Sequence, residues 1–152
     1  MAIQIPSPAQ LTEYTGQPLG TSDWLEITQD QINMFADATD DHQWIHVDEE
    51  KAAAGPFGTT IAHGYLTLSL AAPFMEQILH VDNVAMAINY GLNRVRFMAP
   101  VPVGSRVRAT GEIVDVQEKG PAYEVVVKLT YEVEGGDKPP CVAEVVVVLQ
   151  SA

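Results

Sequence analysis

The second half of the chain contains four long segments with the composition of β-strands, and they constrain the fold more than any other feature. The segments are residues 85–97, 106–118, 123–134 and 142–150. Glycine and proline mark turns between them, at residues 100–104, 119–121 and 135–137. Short turns between long strands predict an antiparallel meander, because parallel strands need long crossover connections. Alternate residues from Val107 to Ile113 are apolar or small, so one face of the sheet is expected to pack inward.

A long apolar segment, residues 63–79, precedes these strands. Its leucine, alanine, phenylalanine and isoleucine residues leave it apolar on nearly every side, which predicts a helix buried all round, and Pro73 predicts a kink. Two shorter helices are expected upstream: residues 28–39, which open with a Thr-x-x-Gln capping box, and residues 48–54, which Asp48 caps. The sequence therefore predicts an α+β fold, in which an antiparallel β-sheet wraps around one long central helix.

Length, charge and cysteine content exclude several classes of protein. A chain of 152 residues is expected to form a single domain, residues 1–152. The formal net charge of −12 argues against a nucleic-acid partner, because phosphate binding needs a basic face. The single cysteine, Cys141, cannot form an intrachain disulfide and fits a reducing compartment. With no secretory signal and no apolar stretch near the roughly 18 residues of a membrane span, we expect a cytoplasmic protein without a membrane partner.

The residues that carry chemistry are concentrated between positions 41 and 64. Asp41 and His46 place a carboxylate and an imidazole five positions apart, and these two groups commonly transfer protons at neutral pH. A glycine-containing stretch, residues 58–64, leads into the apolar helix, and the start of a helix presents free backbone N–H groups. Together these groups can supply an acid, a base and an oxyanion site, which water addition next to a carbonyl requires.

Two other interpretations of the same stretch stay open. A loop rich in aspartate and histidine is also typical of the solvated surface of an acidic protein. His42 and His46 stand four positions apart, which on a helix could provide two zinc ligands. However, no glutamate follows His42 directly, and Trp44 and Ile45 favour extended or irregular chain, so we expect no metal. His63 is interpreted as a helix-cap or core histidine rather than a catalyst.

The stretch 40–46 also resembles the Gly-Asp-x-Asn-Pro-aliphatic-His signature of the MaoC-like (R)-specific enoyl-CoA hydratases, which have the hot-dog fold. Residues 57–64 are similar to the segment before that family's central helix, and residues 94–101 to the strand and exit that follow it. The resemblance therefore extends over about two-thirds of the chain. Three positions depart from the signature, where Asp40 replaces glycine, Gln43 replaces asparagine and Trp44 replaces proline.

The resemblance implies both a reaction and its site residues. Asp41 and His46 match the family's catalytic pair, and the backbone N–H of Gly64 matches its oxyanion donor. The implied activity is the reversible addition of water to a trans-2-enoyl-CoA to give an (R)-3-hydroxyacyl-CoA in fatty-acid metabolism. The implied ligand is an acyl-CoA thioester, and no cofactor is expected. The family pairs its sheets in a homodimer, and the open edges of a sheet wrapped on one helix predict the same assembly.

Alternatives to an enoyl-CoA hydratase remain open: a dehydratase acting on 3-hydroxyacyl carrier protein, a hot-dog thioesterase and a non-catalytic acyl-binding module. An acidic carrier protein would require a basic docking face, so the charge of −12 disfavours the first. Four arginines on two adjacent predicted strands could bind the phosphates of CoA, but they equally fit the charged outer face of a sheet. They are Arg94, Arg96, Arg106 and Arg108.

Overall fold

The structure is a computed structural model that describes residues 2–152. Five helices occupy the first half: α1 (Gln29–Thr39), α2 (Trp44–Val47), α3 (Glu49–Ala53), α4 (Gly64–Ser69) and α5 (Ala71–Ile78), after a 3₁₀ helix at Pro8–Tyr14. The strands are β1 (Ile3–Ile5), β2 (Pro18–Thr21), β3 (Leu25–Glu26), β4 (Leu79–Val81), β5 (Val84–Arg96), β6 (Arg106–Lys119), β7 (Ala122–Val133) and β8 (Val142–Ser151).

The main sheet is antiparallel, with its strands in the order β2-β6-β7-β8-β5 and with β3 also paired to β6. β6, β7 and β8 form the predicted meander, and the four predicted long strands agree with the structure to within one residue at each end. The turn between β6 and β7 contains Gly120 at φ 63°, a left-handed conformation that glycine adopts without a steric penalty. The predicted α+β fold with an antiparallel sheet is therefore confirmed.

The central helical segment consists of α4 and α5, which meet at Leu70. The predicted single helix breaks there because Pro73 has no N–H to donate and its ring occupies the space of the Ser69 carbonyl one turn earlier. The prediction that this segment is buried all round is wrong, since the side chain of Tyr65 is 71% exposed. The sheet covers only one side of the helical segment, so only one stripe of its side chains is buried.

That stripe packs on the inner face of the sheet and forms the core. It consists of Leu66, Leu70, Phe74 and Ile78, which follow one another at a spacing of four residues. Phe74 meets Tyr131 of β7 edge to face at 5.7 Å between ring centroids, and the Tyr131 hydroxyl donates to the carbonyl of Leu68 at 3.1 Å. Burial of each large apolar side chain contributes roughly 1.5–3 kcal/mol. This packing fixes α4 against the sheet and so fixes the start of the helix.

Cys141 is also fully buried in this core, and burial raises the pKa of its thiol to about 12. Such a thiol is inert and serves as a small apolar filler.

Strand β5 lies at one edge of the main sheet and is exposed along almost its whole length. Within residues 2–152 it pairs with β8 and with no other strand. Large apolar side chains are exposed on it, namely Met86, Ile88, Tyr90 and Leu92. A long edge of this kind presents unpaired backbone donors and acceptors together with exposed apolar side chains.

Candidate active site

His46 lies in α2 with its imidazole buried against the segment that precedes α4. Its Nδ1 is 2.7 Å from the carbonyl oxygen of Ile61, and the N–H of Ile61 donates in turn to the carbonyl of Ile45 at 3.0 Å. A carbonyl can only accept, so Nδ1 carries the proton and Nε2 keeps its lone pair. The loop therefore holds His46 in the tautomer that can act as a base through Nε2.

Gln29, the first residue of α1, holds the backbone of His46. Its side-chain N–H donates to the carbonyl of His46 at 2.8 Å, and its carbonyl accepts from the hydroxyl of the buried Thr60. The side chain thus joins α1, α2 and the segment before α4. Sequence reasoning missed this contact, because a glutamine in the first turn of a helix carries no pattern that distinguishes a bridging side chain from a solvated one.

His63 occupies the N-cap position of α4 and is only 2% exposed, in agreement with its interpretation as a cap or core residue. Its side chain does not cap the helix, however. Its ring stacks on that of His46, with centroids 3.9 Å apart and planes 21° apart, while Phe35 lies against it at 4.9 Å. Its Nε2–H donates to the backbone carbonyl of Asp41 at 2.9 Å. The histidine is therefore in direct contact with both members of the predicted pair.

Asp41 follows the last turn of α1 on an exposed loop. Its N–H donates to the carbonyl of Ala36 at 3.2 Å, and its Oδ1 accepts from the N–H of Gln43 at 3.5 Å. One side-chain atom each of Asp41, His46 and His63 lie within 4.8 Å of one another. The structure therefore brings the predicted carboxylate and imidazole together.

The neighbouring Asp40 and His42 are directed elsewhere. His42 contacts Asp37 at 2.9 Å and Asp40 at 3.3 Å on the exposed side of the loop. The hydrogen bond to Asp37 is the main cause of a raised pKa for His42. Both ring nitrogens of His42 thus contact carboxylates rather than His46.

The environment of His46 favours the neutral imidazole. Burial is the largest cause that lowers its pKa from the usual 6.5, and the neighbouring His63 lowers it further. The hydrogen bond to Ile61 and the charge of Asp41 act in the opposite direction, but they do not reverse the shift. The Nε2 lone pair is therefore available at neutral pH, as a general base requires.

The geometry of the three groups fits proton transfer better than metal binding. Zinc bound by histidine has Zn–N distances of about 2.0–2.1 Å, so its ligand atoms lie closer together than the 4.8 Å spread seen here.

Gly64 is the first residue of α4, so its N–H has no acceptor within the helix. It lines a cavity of about 300 Å³ whose wall includes His46, Phe57, Thr67 and Met98. A Cβ at position 64 would lie 3.2 Å from two carbons of the Phe97 ring, so a side chain would narrow the approach to the N–H. His46 and Gly64 thus face one mostly apolar cavity, and Asp41 lies beside His46 rather than in the cavity wall.

Comparison with known proteins identifies the family of this chain. The family model of the MaoC like domain matches residues 10–135. The chain belongs to the MaoC-like family. Among its relatives, the 3-hydroxyacyl-thioester dehydratase Z of Mycobacterium tuberculosis is 58% identical over 142 residues, which cover 93% of this chain and 94% of the relative. Nodulation protein N of Rhizobium leguminosarum bv. viciae is 44% identical over 147 residues, covering 95% and 91%.

Solved structures share the MaoC-like hot-dog fold. The monoamine oxidase regulatory protein from Archaeoglobus fulgius superposes with a TM-score of 0.82 at 27% identity, over 100% of this chain and 99% of that chain. The (R)-hydratase from A. caviae involved in PHA biosynthesis superposes with a TM-score of 0.70 at 25% identity, over 87% and 96%. The resemblance inferred from the sequence is therefore confirmed.

The three departures from the MaoC-like signature are accommodated by local structure. Asp40 adopts a left-handed conformation at φ 60° and ψ 29°, which explains why glycine suits that position. The carbonyl of Gln43 accepts from the N–H of His46 at 3.0 Å and so opens α2. Trp44 begins α2, where proline is also favoured, and its indole packs on Gly55 and under the Lys51 ammonium. The expectation of extended or irregular chain at Trp44 and Ile45 is wrong, because this contact supports one helical turn.

The four arginines do not form one patch. Arg108 makes two hydrogen bonds to Glu132 and lies 4.2 Å from the Trp24 ring, and Arg106 pairs with Glu134 at 3.0 Å. These two belong to the charged outer face of the sheet. Arg94 and Arg96 instead line a second cavity of about 460 Å³, together with Met98, Lys128, Glu112 and Glu144. Met98 lines both cavities, so this second cavity adjoins the candidate active site.

Proposed function

We propose that the protein is a 3-hydroxyacyl-thioester dehydratase that also catalyses the reverse reaction, the hydration of a trans-2-enoyl thioester to the (R)-3-hydroxyacyl thioester. The observation that carries the proposal is the shared cavity, which the imidazole of His46 and the first residue of α4, Gly64, both line. Family membership and 58% identity to a 3-hydroxyacyl-thioester dehydratase support the same reaction.

The residues divide the chemistry between them. The Gly64 N–H donates to the thioester oxygen, so negative charge can build there when water adds to Cβ. His46 Nε2 takes a proton from the water as its oxygen bonds to Cβ, and the C=C electron pair moves toward the thioester. Asp41 orients the water and passes the proton taken by His46 on to Cα, so one water supplies both the OH on Cβ and the H on Cα. The net change is the addition of H and OH, and dehydration reverses each step.

The thioester carrier that we propose is coenzyme A. The net charge of −12 disfavours docking of an acidic carrier protein, whereas Arg94, Arg96 and Lys128 place three cations in the cavity next to the site. Glu112 and Glu144 in the same cavity reduce this charge without cancelling it.

Paired variants test the carrier. Arg94→Gln combined with Arg96→Gln should raise KM for crotonyl-CoA by about tenfold, since charge-assisted hydrogen bonds contribute at least that much. KM for the N-acetylcysteamine thioester, which has no phosphate, should not change. Arg108→Gln is the matched control, because Arg108 is already paired with Glu132. Equal KM changes for both thioesters would contradict a phosphate contact.

We also propose that the protein is a homodimer joined through β5. The exposed edge of β5 and the apolar side chains of Ile88 and Tyr90 support this arrangement. Light scattering should give twice the chain mass, and Tyr90→Lys should shift the protein toward monomer. A stable and active wild-type monomer would contradict it.

The assay that tests the reaction measures the loss of the enoyl thioester across acyl chain lengths, with free thiol measured in parallel. Thiol release without hydration would indicate a thioesterase, and acyl-CoA binding without turnover would indicate a binding module. Hydration of crotonyl-CoA in heavy water should place OH and deuterium on the same face and give the (R) product. A predominantly (S) product would contradict the proposed reaction.

A further inference from the structure

The side chain of His63 has more contacts with the site than a helix cap or a core filler requires. One face of its ring stacks on His46 at 3.9 Å between centroids, and the edge of the ring donates a hydrogen bond to the Asp41 carbonyl at 2.9 Å. Phe35 lies close to the same ring at 4.9 Å. A single buried side chain therefore touches both members of the pair that transfers protons.

The remaining atom of this ring has an unusual environment. Nδ1 of His63 is buried and has no hydrogen-bond partner among the described residues. An isosteric apolar ring would pack in the same place without leaving a buried acceptor unpaired, which is a cost that proteins generally avoid. A purely structural role therefore gives no reason for histidine here, whereas the Nε2–H bond to Asp41 does.

We propose that His63 is a positioning residue for the catalytic pair. Its Nε2–H fixes the peptide of Asp41, its ring face fixes the plane of the His46 imidazole, and its own backbone continues directly into Gly64. His63 thus contacts both members of the pair and directly precedes the oxyanion donor. His63 does not contact the reacting atoms, so it acts through Asp41 and His46. This inference rests on the proposed dehydratase function.

Two substitutions separate the two contacts of His63. His63→Phe keeps a ring that can stack on His46 but removes the N–H that binds Asp41. His63→Gln keeps an N–H donor but removes the ring. We expect kcat for crotonyl-CoA hydration to fall by about a hundredfold in His63→Phe, because a displacement of about 1 Å has that effect. KM should change little, since the substrate does not touch His63.

A second readout does not depend on turnover. The pKa of His46 depends on its burial, on the Ile61 carbonyl and on the charges of Asp41 and His63. The contribution of His63 lowers this pKa. Nitrogen NMR of ¹⁵N-histidine-labelled protein should therefore show a higher pKa for His46 in both variants, and the acid limb of the kcat/KM profile should move to higher pH with it. Because lost burial would also raise this pKa, His63→Phe is the decisive variant: its ring keeps His46 covered, so a shift there reports the loss of the His63 imidazole itself.

Ile113→Ala is the control for lost stability, because Ile113 is a fully buried side chain of β6 outside the lining of the cavity. It should lower Tm while kcat per folded enzyme stays unchanged. The inference is overturned if His63→Phe and His63→Gln keep native kcat and the native pKa of His46. It is equally overturned if neither variant folds, because the residue is then required for the fold itself. Absence of turnover in the wild type would instead refute the proposed function, and the NMR titration would still test the positioning role.

Discussion

Gly64→Ala isolates the contribution of the oxyanion donor from that of the catalytic pair. The φ of Gly64 is not in the left-handed region, so alanine can adopt the backbone conformation without strain. The added methyl group would lie 3.2 Å from the Phe97 ring, which is 43% exposed and has room to shift. The substitution therefore leaves the N–H in place and changes the space in front of it.

The expected magnitude follows from that geometry. A methyl group on the wall of a 300 Å³ cavity prevents a thioester oxygen from reaching its best distance to the N–H. A misplacement of about 1 Å costs roughly a hundredfold in rate, or about 2.7 kcal/mol of transition-state stabilisation. The free energy of unfolding should change by less than about 1 kcal/mol, because alanine is a better helix former than glycine and partly offsets the tighter contact. Activity should thus fall while stability does not.

Combining Gly64→Ala with Phe97→Leu distinguishes two causes of such a loss. If the methyl group acts by displacing the Phe97 ring, the double variant should regain most of the lost kcat for crotonyl-CoA hydration. If it acts by holding the carbonyl away from the N–H, the double variant should remain as slow as Gly64→Ala. We expect the second result. Near-native kcat/KM for Gly64→Ala alone would refute the assignment of this N–H as the oxyanion donor.

Three further predictions concern the loop between α1 and α3. Asp41→Asn and His46→Gln should each reduce kcat by about a hundredfold or more with the fold intact by circular dichroism, and near-native turnover in both would contradict the site assignment. The acid limb of kcat/KM against pH should lie below 6.5, because burial lowers the pKa of His46 and activity is lost as pH falls through that lowered value; a limb at or above 6.5 would contradict it. Asp40→Gly should raise the free energy of unfolding by up to about 1 kcal/mol without changing kcat, since glycine relieves the left-handed φ of 60°. A lower Tm in that variant would contradict this reasoning.

The strands and the first helix were predictable because their signals are local. Alternation of apolar residues and turn glycines place β6, β7 and β8, and the Thr28 hydroxyl accepts from the N–H of Gln31 as the capping box predicts. Pro73 predicted that the central helix would be kinked, and the structure does contain a break between α4 and α5. The position of the break at Leu70 and the exposure of Tyr65 depend on how much of the helix the sheet covers. No local sequence pattern determines that coverage.

The contacts that join the site were less predictable because they connect distant parts of the chain. The spacing of Asp41 and His46 indicated a pair, but nothing in the sequence connects Gln29 to Thr60, 31 positions away. The contact between His63 and Asp41 likewise spans 22 positions. A histidine directly before the helix-start glycine was the one available signal, and its usual meaning is a cap or a core residue. Such contacts depend on tertiary packing, which places α1 against α2 and brings α2 and α4 to one cavity.

The departures at positions 40 and 44 explain how a sequence that differs from the signature keeps its geometry. Glycine and proline, which the signature has at these positions, act through the backbone: glycine tolerates a left-handed φ, and proline suits the first position of a helical turn. Asp40 adopts that φ without being glycine, and Trp44 starts the turn by packing against Gly55, where a Cβ would lie 2.9 Å from its ring. Gly55 therefore leaves free the space that the large side chain of Trp44 occupies. At position 44, side-chain packing therefore starts the helical turn where the signature has proline, and the Asp41 carboxylate and the His46 imidazole lie close together.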